Sequence, residues 1–395
     1  MTSPVHRNNG AAGKTLIWYM SQTPQVIVGC EVLERSRAVR VRWQDGEQDF
    51  HALMLRDNCF CEKCYNKEVG ERAAKTSSIS SDTSVFSATV AGGRLAVVWQ
   101  DGHLSEYESE WLRKNSLHFG ADETEIFPHT WGRDVFLPRF LYGQLLADES
   151  ALLDFLSHFR DYGIAMIEGV PRKKSECERF ANHIAYVREI AFDRVADIRV
   201  SAGAYTQGFT DTALSLHTDC SGYSWPPNVF LFHCLDNSVS GGESVYADGQ
   251  DIVERMRERD PVGFDFLAKT PVLFRLYSKA ADTLHSAPVI CLDEWNNLGI
   301  LRYANWAFQP VRMSLRDTEI YYAAYRSISE LIEAPENRLT LKVRPGEMMM
   351  VNNHRVLHGR NAFDSKSGSR HFQQVYMEMD DIMGRIRILR NKAAA

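Results

Sequence analysis

Two short stretches, distant in the chain, hold the side chains best suited to oxidative chemistry. One is LHTD at residues 216–219, where the imidazole of His217 stands two positions before the carboxylate of Asp219. On a strand, positions i and i+2 face the same side, so the pair would aim at one point. The other is VLHGRNAFDSKSGSRHF, in which His358 is followed twelve residues later by Arg370. A lone His-x-Asp pair is usually just solvated or hydrogen-bonded. Two histidines with one carboxylate, however, leave three positions of an ion open, the arrangement of non-haem Fe(II) oxygenases. The arginine beyond can hold a carboxylate through a two-pronged fork. His217, Asp219 and His358 are therefore expected to bind Fe(II), and Arg370 to anchor the far carboxylate of 2-oxoglutarate. The keto-acid end of that co-substrate takes two of the open positions and O2 the third. The expected chemistry is oxidative decarboxylation to succinate and CO2, coupled to hydrogen abstraction from a nearby C–H bond.

Other residues compete for these tasks. His354 lies four residues before His358 and would share its face on a strand, so spacing alone does not choose between them. The glycine directly after His358 predicts a strand ending at a turn, a mouth-facing position that favours His358. His371 directly follows Arg370. His233, amid the apolar run FLFHCL, reads as a hydrogen-bonded core histidine. Ser244, after the glycine pair of SGGES, either adds a hydroxyl to the 2-oxoglutarate carboxylate or is a turn serine.

A second constellation is CFCEKC, with Cys59, Cys61 and Cys64. Three thiols in six residues pair poorly as disulfides and look like soft metal ligands. A structural zinc wants four ligands in a tetrahedron, and His103, in the second WQDGH turn, is the best candidate for the fourth. Such a site stabilises its domain without an open position for chemistry. Reduced cysteines packed side by side are the plainer alternative.

These side chains need a scaffold, and the pattern of the chain suggests one. VIVGCEVLE, AVRVRWQDG and FHALMLRDN read as short strands, and RLAVVWQDG echoes the second of them about 55 residues on. That echo predicts a small antiparallel domain of similar hairpins over residues 15–120, with a disordered lead-in at 1–14. Residues 121–395 form the predicted catalytic domain. Its linker-like start is followed by a helix over 141–162, a buried strand IAMIEGV, and alternating segments around a few helices. Without regular βα alternation or a glycine-rich phosphate loop, a doubly wound nucleotide fold is disfavoured. The fold expected is mainly β with helices, a cupin-like jelly roll or double-stranded β-helix beside the small β domain.

Net charge of −6 and a pI near 6.1 argue against nucleic acid as the main partner. No apolar run reaches the roughly 18 residues that a membrane span needs. The N-terminus lacks a secretory core, and eight cysteines without a signal suggest reduced thiols and a cytoplasmic protein.

Several blocks together, among them LRDNCFCEKCYN, LHTD, LFHCL, SGGES, RVLHGR and GRIRILR, resemble the γ-butyrobetaine and trimethyllysine dioxygenase family over almost the whole chain. CFCEKC with His103 is similar to the zinc site of the butyrobetaine enzymes, whereas CYNKEVGER is nearer the trimethyllysine ones. The resemblance implies a homodimer and a small zwitterionic substrate whose quaternary ammonium sits in a cage of rings. Tyr205 and Tyr376 stand where cage tyrosines would be, and Phe192 occupies a further tyrosine position. Ala196 falls where a tryptophan is expected, a departure that Tyr223, Trp225 or Trp306 would have to make good. Asn305 is a candidate for the polar end of the substrate, or else a structural turn residue. Alternatives for the substrate are trimethyllysine, a trimethylammonium phosphonate or another small amino acid. A non-catalytic jelly-roll binding protein is the rival from another class.

Overall fold

The computed structural model describes residues 26–116, 128–191, 193–200, 207–278 and 281–394. The lead-in at 1–14, Phe192 and Tyr205 lie outside the described residues. The chain divides into two compact units, Met1–Glu125 and Ile126–Ala395.

In the first unit, the alternation AVRVRW buries Val39, Val41 and Trp43 and leaves Arg40 and Arg42 toward solvent, as a half-buried strand requires. Strands β1 (Gly29–Val32), β2 (Ala38–Trp43) and β3 (Gly46–His51) form one antiparallel sheet. Strands β4 (Val85–Ala91), β5 (Arg94–Trp99) and β6 (Leu104–Tyr107) form another. Each WQDG segment closes a hairpin, the first between β2 and β3 and the second between β5 and β6. In the second, Trp99 N–H donates to the His103 carbonyl (2.9 Å), and Gly102 takes the left-handed φ of +78° that the turn needs. Trp43, Phe50, Leu55, Trp99 and Tyr107 fill the shared core.

The second unit is built on ten strands that matter for the site. They are β7 (Arg139–Leu141), β8 (Ile164–Glu168), β9 (Ala196–Ile198), β10 (Leu214–His217), β11 (Val229–Asn237), β12 (Ser244–Asp248), β13 (Arg338–Leu341), β14 (Met348–Asn352), β15 (Val356–Arg360) and β16 (Arg370–Met377). One sheet has the order β9-β16-β11-β14-β8-β7, antiparallel except for β7 against β8; the other is β10-β15-β12-β13, antiparallel throughout. Their inner faces meet: Phe230, Met349, Val351 and Phe372 of the first pack with Tyr246 and Val356 of the second. This is the predicted jelly-roll sandwich.

The unbroken apolar run MMMV in β14 follows from burial on both faces. Met349 and Val351 point between the sheets, whereas Met348 and Met350 pack outward on the helices Glu149–Tyr162, Glu176–Ile184 and Met379–Ala394. The smaller sheet is likewise covered, its Val245, Ala247 and Leu357 meeting the helices Gly249–Arg259, Pro261–Lys269 and Leu315–Glu333. The single helix expected over 141–162 is two, Tyr142–Ala147 and Glu149–Tyr162. Asp148 divides them because its carboxylate accepts from Ser150 N–H and caps the second.

His233 departs from expectation. On β11 its ring points to the helix-covered side, and neither nitrogen has a hydrogen-bond partner among the described residues. Burial pushes its imidazole down to about 4. The folded chain thus holds it neutral where the unfolded chain, titrating near 6.5, would protonate it. The stability linked to this group is complete above pH 6.5 and is lost as pH falls toward 4, by about 1.4 kcal/mol per pH unit. Denaturant melts across that window are expected to show His233→Leu losing about one proton of linkage. An unchanged slope would assign the acid sensitivity elsewhere.

Candidate metal centre and its cavity

Strands β10 and β15 are neighbours, and their register sets His217 directly opposite His358. The two imidazoles stand side by side with ring centroids 4.3 Å apart. Asp219 does not arrive by strand alternation: β10 ends at His217, and a turn carries the carboxylate round. Thr218 fastens that turn, its N–H donating to the Tyr303 carbonyl (2.8 Å) and its hydroxyl to the Leu301 carbonyl (2.9 Å). Cys220 follows with a left-handed φ of 59°. The result places Asp219 Oδ1 3.3 Å from His217 Nε2 and Oδ2 3.5 Å from His358 Nε2. All three donor atoms lie within 4.8 Å of one another.

The surroundings settle which atoms are available. His217 Nδ1–H donates to the Ser215 carbonyl (2.8 Å), which fixes the tautomer and leaves the Nε2 lone pair facing the cluster. Asn353 grips the Asp219 backbone from both sides, accepting from its N–H (2.6 Å) and donating to its carbonyl (3.1 Å). Asp219 Oδ2 accepts from the Tyr376 hydroxyl (2.7 Å) and from Gln374 Nε2 (3.1 Å), so Oδ1 is the oxygen left for a ligand. Burial alone would raise the Asp219 carboxyl, but attraction to His358 and His217 outweighs it and holds the group well below the usual carboxylate range. Burial, with help from His217, pushes His358 down. A charged carboxylate beside a neutral imidazole, with lone pairs converging, is the donor set that a divalent first-row metal takes.

His354 plays no part in this cluster. Its Nε2–H donates to the Pro226 carbonyl (2.9 Å) and its Nδ1 accepts from Asn228 (2.8 Å). The glycine after His358 is also not a turn. Gly359 lies inside β15, where a Cβ would stand 2.6 Å from the Leu214 carbonyl oxygen; its task is to let β10 come close enough to pair. His371 is engaged elsewhere, with Asp197 at 2.6 Å.

These groups open on a cavity of about 730 Å³ that Arg370, Ser244, Tyr376, Phe230, Phe232 and Tyr246 also line. Arg370 is buried on its wall with the guanidinium 4.2 Å above the Phe372 ring, and no described carboxylate pairs with it. Its Nε lacks a partner among the described residues, and burial, then repulsion from Arg360, pushes the group down to about 9. An uncompensated cation beside a cavity suits a bound anion. Ser244 is the first residue of β12 rather than a turn residue, and its hydroxyl meets the Tyr246 phenol. Trp306 lines the cavity edge-on to His217 at 4.6 Å. Asn305 is not among the lining residues; its side-chain oxygen accepts from the Tyr325 hydroxyl (3.1 Å). Tyr223 and Trp225 are also off the cavity, whereas Ala196 is on it.

Residues 124–376 match the model of the taurine catabolism dioxygenase TauD, TfdA family. The chain belongs to that family. Its TauD/TfdA membership makes it an Fe(II)- and 2-oxoglutarate-dependent oxygenase. Residues 30–113 of this dioxygenase match a second model, γ-butyrobetaine hydroxylase-like, N-terminal. Its relatives include a γ-butyrobetaine dioxygenase of Pseudomonas sp. (strain AK-1), 34% identical over 89% of this chain and 93% of the relative. Another is the mitochondrial trimethyllysine dioxygenase of Rattus norvegicus, 28% identical over 97% and 95%. A third is the γ-butyrobetaine dioxygenase of Homo sapiens, 25% identical over 92% and 97%. No described helix of the dioxygenase is long and apolar enough to cross a membrane.

In its first unit, the Sγ atoms of Cys59, Cys61 and Cys64 lie 3.2, 3.5 and 3.7 Å from His103 Nε2. A tetrahedral zinc with ordinary Zn–S and Zn–N bonds separates sulfur from nitrogen by about 3.6 Å, so His103 stands at about that spacing from the thiols, and the four donor atoms lie within 4.8 Å of one another. Sequence reasoning missed Asn353 and Gln374. The alternation of β16 held a signal for the latter, since Arg370, Phe372, Gln374 and Tyr376 share one face.

Proposed function

We propose that this dioxygenase hydroxylates an unactivated carbon of a small zwitterion bearing a quaternary ammonium group, similar to γ-butyrobetaine. His217, Asp219 and His358 hold the iron, and Arg370 holds the far carboxylate of 2-oxoglutarate. The observation that carries this reading is the buried Arg370 guanidinium, without a carboxylate partner among the described residues, on the cavity that His217, Asp219 and His358 share. The bound iron and co-substrate supply oxidative decarboxylation to succinate and CO2 and the hydrogen abstraction that follows. The chain's own residues prepare the site. Tyr376 and Gln374 hold Asp219 Oδ2 aside, Ser215 locks the His217 tautomer, and Phe230, Phe232 and Tyr246 keep water from the inner wall. Trp306, which lines the cavity, offers an aromatic ring to a trimethylammonium group, worth about 0.5–2 kcal/mol.

Aerobic incubation with Fe(II), 2-oxoglutarate and a panel of γ-butyrobetaine, trimethyllysine, trimethylammonium phosphonates and amino acids tests the reading. Succinate and hydroxylated product should rise together with a quaternary ammonium compound. If every panel member left succinate at background, the substrate class would be wrong. Tyr376→Phe is expected to lower iron affinity about 10–100-fold by freeing Asp219 Oδ2. Anaerobic Fe(II) titration would measure it, and an unchanged affinity would return Tyr376 to the substrate's side.

Cys59, Cys61, Cys64 and His103 are assigned a structural zinc. One zinc per chain is expected by elemental analysis, and a strong chelator should lower the melting temperature of the protein. A melt indifferent to chelation would leave the thiols as packing residues. The assignment also includes a cytoplasmic location, which eight free cysteines favour, and a homodimer, which light scattering would test.

A further inference from the structure

Arg360 stands two residues beyond His358 on the same face of β15, outside the metal-ligand cluster. Its side chain is buried and lines the cavity, and no described carboxylate lies within ion-pair distance. Instead it donates to three carbonyls of one segment. Nη1 reaches Gly208 (3.3 Å), and Nη2 reaches Thr210 (2.9 Å) and Thr212 (2.7 Å). The guanidinium lies 4.9 Å above the Phe363 ring, whose other visitor is Arg370 at 5.5 Å.

The segment it holds has little regular structure of its own. A single 3-10 turn spans Gln207–Phe209, closed by the N–H and hydroxyl of Thr210 on the Gln207 carbonyl. Asp211 adds two ties to the chain beyond β15: its carbonyl accepts from Phe363 N–H (3.1 Å), and its carboxylate from the Ser365 hydroxyl (2.6 Å). Gln207, Gly208, Phe209 and Thr210 all line the cavity. Three carbonyls converging on one point need a planar group with several donors, which guanidinium supplies and a neutral side chain does not. They in turn compensate a charge that would otherwise be costly so far from water.

We propose that Arg360 is a positioning residue that seats Gln207–Thr212 as one wall of the cavity, and that this wall, not the guanidinium, is what the cavity's occupant meets. The link from wall to turnover rests on the function proposed above; the seating itself does not. With the wall displaced, water enters and 2-oxoglutarate is decarboxylated to succinate and CO2 without hydroxylation of the organic substrate, the unused two-electron oxidising equivalent being discharged by an added reductant such as ascorbate.

Hydrogen exchange on the purified full chain, without added iron, reads the seating directly. In Arg360→Gln, amides of 207–212 should exchange at least about tenfold faster while the strands of both sheets keep their protection. Arg360→Lys, which keeps the charge and three donors but not the fork, should fall between. With iron and a turned-over substrate, Arg360→Gln should form several times more succinate per hydroxylated product, at unchanged iron content. Unchanged exchange in 207–212 overturns the proposal. A fall in 2-oxoglutarate affinity as deep as that of Arg370→Ala, without faster exchange, would make Arg360 an anion ligand instead. Faster exchange with normal coupling would overturn the wall's part in turnover. If no panel compound is turned over, the functional reading fails, and the exchange result still decides whether Arg360 seats the segment.

Discussion

Changing His217 to alanine is expected to cut substrate-dependent succinate formation by about a thousandfold or more, because a ligand's loss removes several kcal/mol of metal-centred stabilisation. His217 is inside the fold but carries little of it: its ring donates to Ser215 two residues away and otherwise meets Asp219, His358 and Trp306 of the site itself, and its strand pairing is backbone. Circular dichroism and the melting temperature should therefore stay near those of the parent while iron content drops. The informative control is His354→Ala. That ring is tied to Pro226 and Asn228, so its removal should cost stability, on the order of 1–3 kcal/mol, and leave iron in place. If the His354 variant lost iron and the His217 variant kept it, the assignment of the centre would be overturned.

The second large effect is at Arg370. Arg370→Ala should weaken 2-oxoglutarate by about 100-fold or more, since breaking a buried charge pair costs roughly 3–5 kcal/mol. Iron affinity should be untouched. Arg370→Lys should lie between, a point charge replacing a planar fork. A further consequence separates this role from a structural one. With no described carboxylate beside it, the guanidinium is a burden on the protein until an anion arrives. Arg370→Met is therefore expected to melt at or above the parent without co-substrate, and to gain well under ~1 kcal/mol when 2-oxoglutarate is added. The parent should gain about 2.7 kcal/mol at 100 times its dissociation constant. A variant that lost stability in both conditions would mark Arg370 as a packing residue.

What could be read from the chain alone follows from what kind of information a residue carries. That His217, Asp219 and His358 come together, with Arg370 on the same cavity, is legible because donor chemistry and order along the chain are themselves the signal. The thiols of CFCEKC were legible for the same reason. Asn353 was not: it lies 134 residues from the Asp219 backbone that it holds, and an asparagine in a loop has many uses. The sequence presents Tyr376 as a ring, whereas the structure engages its hydroxyl with Asp219, a fact of tertiary distance. Gly359 reads as a turn former in the sequence, whereas the close approach of Leu214 is the reason for it. Among the elements, strand alternation and the apolar run of β14 pointed to the sandwich. The break at Asp148 did not show, because the apolar spacing runs on through it and only the capping bond reveals the end.

The pairing of β10 with β15 has a practical outcome. Because a backbone ladder, rather than the ion, decides where the two imidazoles stand, emptying the centre should leave its architecture intact. The enzyme should then tolerate stripping and reloading, and accept a redox-silent divalent substitute. Crystals grown with such a stand-in would capture both organic molecules together, unreacted.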